Sequence, residues 1–335
     1  MWQDNRHTFI IAEVGSVHDG SFGNALKLIE AAAACGVDAV KFQTHIPEAE
    51  TLRDAPMPPY FKGEPRFEYF KRTGFSLAQW KQLKAHCEQH AVTFLSSPFS
   101  EEAVDLLAPL DMQGYKIPSG EVTNLPMLEK IARLGKSIYL SSGMSSWDEL
   151  DRAVEVIRRY QAPLTILQCT SEYPCAYENV GLNVMHEMAE RYDLPVGLSD
   201  HTLTNYASFA AVVLGASLIE KHFTFSRKMY GSDAKHSLEP DEMTDLVSGI
   251  RAIETMLDSQ VNKDEIGLYQ GMKDIFQKSL VAEMDLPAGT IITRDLVGIK
   301  KPGTGISAAR LNDFLGRRLS RDVKAGTLFT EQDFA

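Results

Sequence analysis

Gly197-Leu-Ser-Asp-His-Thr202 and Ile219-Glu-Lys-His-Phe223 are the stretches that decide the fold. In each, a histidine follows a short apolar run: Leu-Pro-Val-Gly-Leu before the first, Ala-Ser-Leu-Ile before the second. Short apolar runs separated by helical stretches read as buried parallel strands. In a closed barrel of such strands, side chains at the C-terminal strand ends converge on one mouth. His201 and His222 are then expected to face one cavity from neighbouring strands. Two imidazoles with carboxylates beside them, here Asp200 and Glu220, can hold a divalent metal and leave positions open for water or substrate. The alternative is a pair of satisfied core histidines.

Outward from these stretches the same beat recurs. Strands are expected at Thr8 to Val14, Asp38 to Gln43, Val92 to Ser96, Gly114 to Ile117, Ser137 to Leu140, Leu164 to Gln168, Pro195 to Leu198 and Ser217 to Glu220. Helical patterns fall between them, from the alanine-rich Ala25 to Cys35, closed by Gly36, to Pro240 to Leu257. Eight strands alternating with helices predict an α/β fold, a TIM (β/α)8 barrel over residues 1–260. A doubly wound open sheet is the runner-up, but no Gly-x-Gly-x-x-Gly follows the first strand. The stretch from Thr44 to about Phe75 carries Pro47, Pro56, Pro58, Pro59 and Pro65 and reads as a lid or binding loop. Residues 261–278 are polar, as a linker is. Residues 279–335 read as a small, mainly β domain with two similar turns, Leu286-Pro-Ala-Gly-Thr290 and Val323-Lys-Ala-Gly-Thr327. So small a unit buries a limited core and is expected to lean on another surface.

The 335 residues are 44% hydrophobic and 24% charged, as in a soluble globular protein. A net charge of −11 argues against a nucleic-acid partner, which calls for a basic face. No apolar run has the length of a membrane span, and the first seven residues show no signal-peptide pattern. Cys35, Cys87, Cys169 and Cys175 form no CxxC pair, so reduced thiols in a cytoplasmic protein are expected.

The strand ends give a polar set: Glu13, Lys41, Gln43, His45, Ser97, Lys116, Ser119, Glu121, Ser141, Ser171, Tyr173, Ser199, Lys221 and the two histidines, with His18, Asp233 and His236 in loops. Lys41 and Lys116 among short hydroxyl side chains suit a phosphate or carboxylate. A lysine inside a barrel strand can instead form a Schiff base with a carbonyl substrate. Glu13 and Glu121 can serve as buried partners of the lysines.

At these residues the chain resembles the sialic acid synthase family. The matching segments run in order along the barrel: Ile-Ala-Glu-Val-Gly, Val-Lys-Phe-Gln-Thr-His, Ser-Ser-Pro-Phe-Ser, Tyr-Lys-Ile-Pro-Ser-Gly-Glu, Leu-Ser-Ser-Gly-Met, Gln-Cys-Thr-Ser-Glu-Tyr-Pro, Gly-Leu-Ser-Asp-His-Thr and Glu-Lys-His-Phe. The tail, with Lys301-Pro-Gly-Thr-Gly-Ile306, is similar to the antifreeze-like (SAF) domain that closes these proteins. The resemblance implies condensation of phosphoenolpyruvate with an N-acetylmannosamine-type sugar. It implies catalytic roles for Glu13, Lys116, His201 and His222. It places phosphoenolpyruvate on Lys41, Ser97, Lys116, Ser119, Ser141, Ser171, Tyr173 and Ser199. The sugar falls to Gln43, Glu121, Asp233 and Lys301, and a divalent metal, Mn2+ with Mg2+ or Co2+ as alternatives, to His201 and His222. It also implies a homodimer with swapped C-terminal domains.

Four departures stand out. Gly-Ser-Val17-His18 replaces the family's Gly-Ile-Asn-His, Ser171 stands where many members have asparagine, and Lys301 where an arginine is common. The long loop shows no clear match for a sugar-binding asparagine. All but Ser171 bear on the acceptor sugar. Alternatives are a synthase for a related acid such as legionaminate or a spore-coat-type sugar, a Schiff-base aldolase using Lys116, and a non-catalytic sugar-binding protein.

Overall fold

The computed structural model describes residues 7–56 and 64–335. Residues 1–6, read above for a signal pattern, and Pro58 and Pro59 of the long loop lie outside the described residues. The chain divides into two compact units, one ending at Ser259 and the other spanning Gln260–Ala335.

In the first unit eight strands close a parallel barrel: β1 (Phe9–Gly15), β2 (Ala39–Thr44), β3 (Thr93–Pro98), β4 (Gly114–Ile117), β5 (Ser137–Ser141), β6 (Leu164–Cys169), β7 (Val196–Asp200) and β8 (Leu218–His222). The barrel closes where β8 pairs with β1 and Glu13 lies opposite His222. The helices are α1 (Phe22–Ala34), α2 (Pro47–Glu50), α3 (Arg66–Thr73), α4 (Leu77–Gln89), α5 (Glu101–Leu107), α6 (Leu125–Ala132), α7 (Trp147–Arg158), α8 (Leu182–Tyr192), α9 (Tyr206–Val213) and α10 (Pro240–Asp258). Caps set several of their starts. Ser76 with Gln79 and Ser146 with Glu149 form capping boxes that satisfy the first free N–H groups of α4 and α7.

Strand alternation builds the interior. Ile11, Ala39, Leu95, Leu167 and Leu218 form a small apolar cluster inside the barrel. Side chains along a strand return to the same face every second residue. Two positions on from those five stand Glu13, Lys41, Ser97, Cys169 and Glu220, all buried. A polar layer therefore rests on an apolar floor. The outward residues, such as Val40, Phe42 and Phe94, join Leu28, Ile29, Trp80 and Leu83 of the surrounding helices in the main core. Gly197 is inward on β7. A Cβ there would come within 2.3 Å of the Leu218 carbonyl oxygen and 2.7 Å of Leu167, so only glycine lets β6, β7 and β8 approach this closely.

Lys221 departs from expectation by the same rule. It follows inward Glu220, so its side chain leaves the mouth. Its buried amine lies 2.7 Å from Asp200 Oδ2 and donates to the carbonyls of Thr202 (2.8 Å) and Thr204 (2.7 Å). It therefore ties down the segment that carries His201.

The second unit has α11 (Gln270–Phe276), an antiparallel pair of β9 (Ser279–Ala282) and β10 (Val297–Lys300), and α12 (Leu311–Phe314). The stretch expected as a linker thus carries α11 and belongs to this unit. Leu280, Ile292, Val297, Phe314, Phe329 and Phe334 make its core. The two similar turns face each other: Leu286 bridges Val323, and Gly289 and Gly326 both adopt positive φ. All four cysteines are unpaired and buried. Among the described residues no helix is long and apolar enough to cross a membrane.

Candidate active site

The polar layer opens into a cavity of about 400 Å3 at the C-terminal strand ends. Of the residues expected at the site, Glu13, Lys41, Gln43, Lys116, Ser119, Ser141, Ser171, Tyr173, Ser199, His201, His222 and Asp233 line it. Ser97 does not line it but accepts from Lys41 Nζ at 3.2 Å. Glu121 is also outside the lining, and its carboxylate accepts from Asn124 at 2.8 Å. Lys301 lies in the second unit, with its amine 4.9 Å from the centre of the Phe276 ring.

The floor of the cavity is an ion network. Lys41 Nζ lies 3.1 Å from Glu13 Oε2 and 3.3 Å from Glu220 Oε2, and Lys116 Nζ lies 3.5 Å from Glu220 Oε1. Ser199 donates to Glu220 Oε1 at 2.8 Å. Burial opposes the charge on Glu220, but Lys116 and Lys41 outweigh it and hold the carboxyl well below the usual range. Burial also works against Lys41, where Glu13 and Glu220 prevail and raise it. At Lys116 burial wins: Glu220 offsets it only in part, Lys41 adds to it, and the amine is lowered. An arriving anion would restore what Lys116 lacks. From the sequence, Glu220 reads only as a carboxylate beside the histidines; the structure makes it a partner of both lysines on the inward face.

A pocket for small anionic oxygens opens above the floor. A Cβ on Gly143 would come within 2.5 Å of both the Ser119 and Ser171 hydroxyls, so the bare glycine keeps the space between them clear. Ser141 Oγ is buried there without a partner.

At the rim His201 and His222 meet, their ring centroids 5.6 Å apart. Tyr173 stacks on His201 at 4.1 Å. His201 Nδ1 donates to the Thr170 carbonyl at 2.8 Å, which fixes the tautomer and leaves Nε2 with its lone pair. Burial, and then the neighbouring His222, push His201 down to about 3, so the ring is neutral. His222 Nδ1 is buried without a partner, as is Nε2 of His236, another lining residue. Imidazoles with unused nitrogens fit a cation. The described residues hold a second group of metal-ligating side chains, Glu30, His86 and His90 on α1 and at the end of α4, but none lines the cavity and Glu30 is already paired to Lys27 at 2.7 Å.

The loop after β2 supplies residues that sequence reasoning missed. Arg66 and Phe70 of α3, with Phe99 past β3, line the cavity. Pro65 before α3 and Gly74 after it were readable as start and stop signals.

His18 and Val17, expected near the mouth, pack into the body instead and do not line the cavity. Val17 is part of the main core. His18 stacks on Phe75 at 4.6 Å, and its Nδ1 accepts from the Gly20 N–H at 3.1 Å. Burial pushes its ring from 6.5 down to about 4. Between those values the unfolded chain binds the extra proton, so stability falls as pH is lowered through the window. The loss due to this ring is on the order of 3 kcal/mol. Denaturant unfolding at pH 7 and pH 4.5 should show a smaller acid loss in His18→Gln than in the wild type.

A model of the NeuB family matches residues 28–262, and one of the SAF domain matches residues 277–335. The chain belongs to the NeuB family. Its second unit is a SAF domain. This NeuB-family chain is 39% identical over 334 residues to the N,N'-diacetyllegionaminic acid synthase of Campylobacter jejuni subsp. jejuni serotype O:2, covering 97% of this chain and 100% of that protein. It is 35% identical over 305 residues to the N-acetylneuraminate-9-phosphate synthase of Homo sapiens, covering 89% of this chain and 85% of that protein. A solved structure similar to this NeuB barrel is the N-acetylneuraminic acid (sialic acid) synthetase of Leptospira borgpetersenii serovar Hardjo-bovis in complex with citrate. Its TM-score is 0.70 and its identity 29%, over 79% of this chain and 90% of that one.

Proposed function

We propose that this chain condenses phosphoenolpyruvate with the open-chain aldehyde of an N-acetylmannosamine-type sugar, giving a nonulosonic (sialic-type) acid and phosphate. C3 of phosphoenolpyruvate forms the new bond to the aldehyde carbon, water adds at C2, and phosphate leaves by C–O cleavage. The observation that carries this reading is the buried pair of lysines in one cavity with two rim imidazoles and several serine hydroxyls. Lys41 and Lys116, with Ser119, Ser141, Ser171 and Ser199, bind the phosphate and carboxylate of the enol donor; Ser97 acts through Lys41, and Tyr173 packs the donor side against His201. Glu13, held by Gln43 at 2.8 Å, orients the sugar, and Asp233 accepts from a sugar hydroxyl. A divalent cation on His201 and His222, manganese with magnesium or cobalt as alternatives, would supply Lewis acidity toward the carbonyl oxygen.

The deciding experiment is phosphate release from phosphoenolpyruvate across a panel of hexosamine-derived sugars, with the product identified by mass spectrometry. Release with an amino-sugar and a product joined by a carbon–carbon bond support the reading. Borohydride trapping of a keto acid on Lys116 without phosphate release overturns it.

Gly143→Ala tests the anion pocket. A methyl between Ser119 and Ser171 displaces the donor by about an ångström, which costs about 10²-fold in kcat/KM for phosphoenolpyruvate. Initial rates at varied donor and fixed sugar check it, and an unchanged KM removes this pocket from the donor site.

The working unit in this reading is a cytoplasmic homodimer that exchanges SAF domains and brings Lys301 to the sugar. Supporting it, Leu268 is 93% exposed in the single chain, and Tyr269, Met272, Ile275 and Phe276 are also exposed. Light scattering that returns a monomer defeats it.

A further inference from the structure

We infer that His45 is a positioning residue for the acceptor half of the cavity, holding Gln43 and, through it, Glu13. The inference rests on the condensation reading above. His45 follows β2 directly and is buried on the cavity wall. Its ring lies between two phenyl faces, Phe70 at 3.6 Å and 13°, and Phe99 at 4.0 Å and 23°. Arg66 covers Phe70 in turn, with its guanidinium 5.1 Å from the ring centre.

The edges of the ring carry the chemistry. Nδ1 lies 2.8 and 3.0 Å from the two Glu50 oxygens, and Nε2 lies 3.1 Å from Gln43 Oε1. Gln43 Nε2 donates to Glu13 Oε1 at 2.8 Å. The role of Nε2 follows from its neighbours. Gln43 turns its NH2 toward Glu13 and its oxygen toward His45, so His45 Nε2 donates to Gln43 Oε1. Nδ1 is held by the Glu50 carboxyl, so both edges of the ring are engaged while two aromatic faces fix its plane. The short helix α2 ends at Glu50 and so returns the carboxylate five residues back to the ring.

The chain Glu50–His45–Gln43–Glu13 continues through Lys41 and Glu220 to Lys116. Without the His45 donor the Gln43 oxygen loses its partner and the amide is tethered to Glu13 alone, so the side chain is free to swing. Glu13 then loses the fixed partner that aims it at the sugar. Stacking and donation can be separated, because phenylalanine keeps the first and lacks the second.

The test compares the wild type, His45→Phe and His45→Gly by steady-state phosphate release, varying each substrate in turn. Outer-shell partners of this kind are worth about 10- to 100-fold. His45→Phe should lose that factor in kcat/KM for the sugar, keep its KM for phosphoenolpyruvate within about twofold, and melt lower than the wild type, because Glu50 is left buried without its partner. His45→Gly should regain sugar turnover with added imidazole, but not with 1-methylimidazole, which stacks alike and cannot pair at both ring edges. Wild-type kinetics in His45→Phe, or equal rescue by both imidazoles, overturn the inference. If His45→Phe does not fold, the rescue of His45→Gly decides alone. A wild type that releases no phosphate with any sugar of the panel sinks the condensation reading and this role with it, whereas the other failures sink only the role of His45.

Discussion

Replacing His222 with alanine is expected to lower turnover about 10³-fold, the scale of removing a group that stabilises developing charge, while the fold survives. The ring closes the cavity beside His201, and its Nδ1 has no partner to lose. Truncation therefore breaks no buried hydrogen bond at Nδ1, and the melting temperature should stay near that of the wild type. His201→Ala should abolish turnover as well but cost more stability. It also removes the bond to the Thr170 carbonyl and the stack on Tyr173. Phosphate-release rates with and without added manganese, together with the metal content of each purified variant, check the pair. Full turnover of either variant in chelator-treated buffer would remove both rings from the chemistry.

Lys41→Met is expected to give the largest combined loss. Its amine sits between Glu13 and Glu220, and both carboxylates are buried. Methionine fills the volume but leaves two buried acids facing each other without their shared cation. Breaking a buried pair in this way costs about 3–5 kcal/mol. Turnover should fall below detection, because the donor's anionic groups lose one of two cations. The double variant Lys41→Met with Glu220→Gln separates the two effects: it should regain stability in urea unfolding without regaining turnover. Recovery of turnover in the double variant would show that Lys41 serves only to neutralise Glu220.

The barrel was legible because its signals are local and repeated. Every expected strand lies within one or two residues of an observed one, and Gly197 marks the tight corner beside the decisive histidine. The histidines were legible because each ends a strand. What escaped reading depends on direction or on distant partners. Lys221 was misplaced because strand ends were read as a zone, without asking which face each side chain takes. Glu220 was read as a neighbour of His222 and not as a partner of the lysines for the same reason. Glu121 and Ser97 stand near strand ends yet fall outside the lining, Glu121 paired with Asn124 and Ser97 taken up by Lys41. Arg66 and Phe70 reach the cavity only because the loop after β2 folds back, and no spacing in the sequence records that contact.

The apolar floor beneath the ion network has a kinetic consequence. Ile11, Ala39, Leu95, Leu167 and Leu218 close the barrel interior beneath the lysines, so among the described residues the cavity is bottomed by apolar side chains. A reactant seated on the lysines lies beneath one seated at Gln43. In the proposed condensation the enol donor is therefore expected to enter before the sugar and phosphate to leave last, an order that product-inhibition kinetics checks.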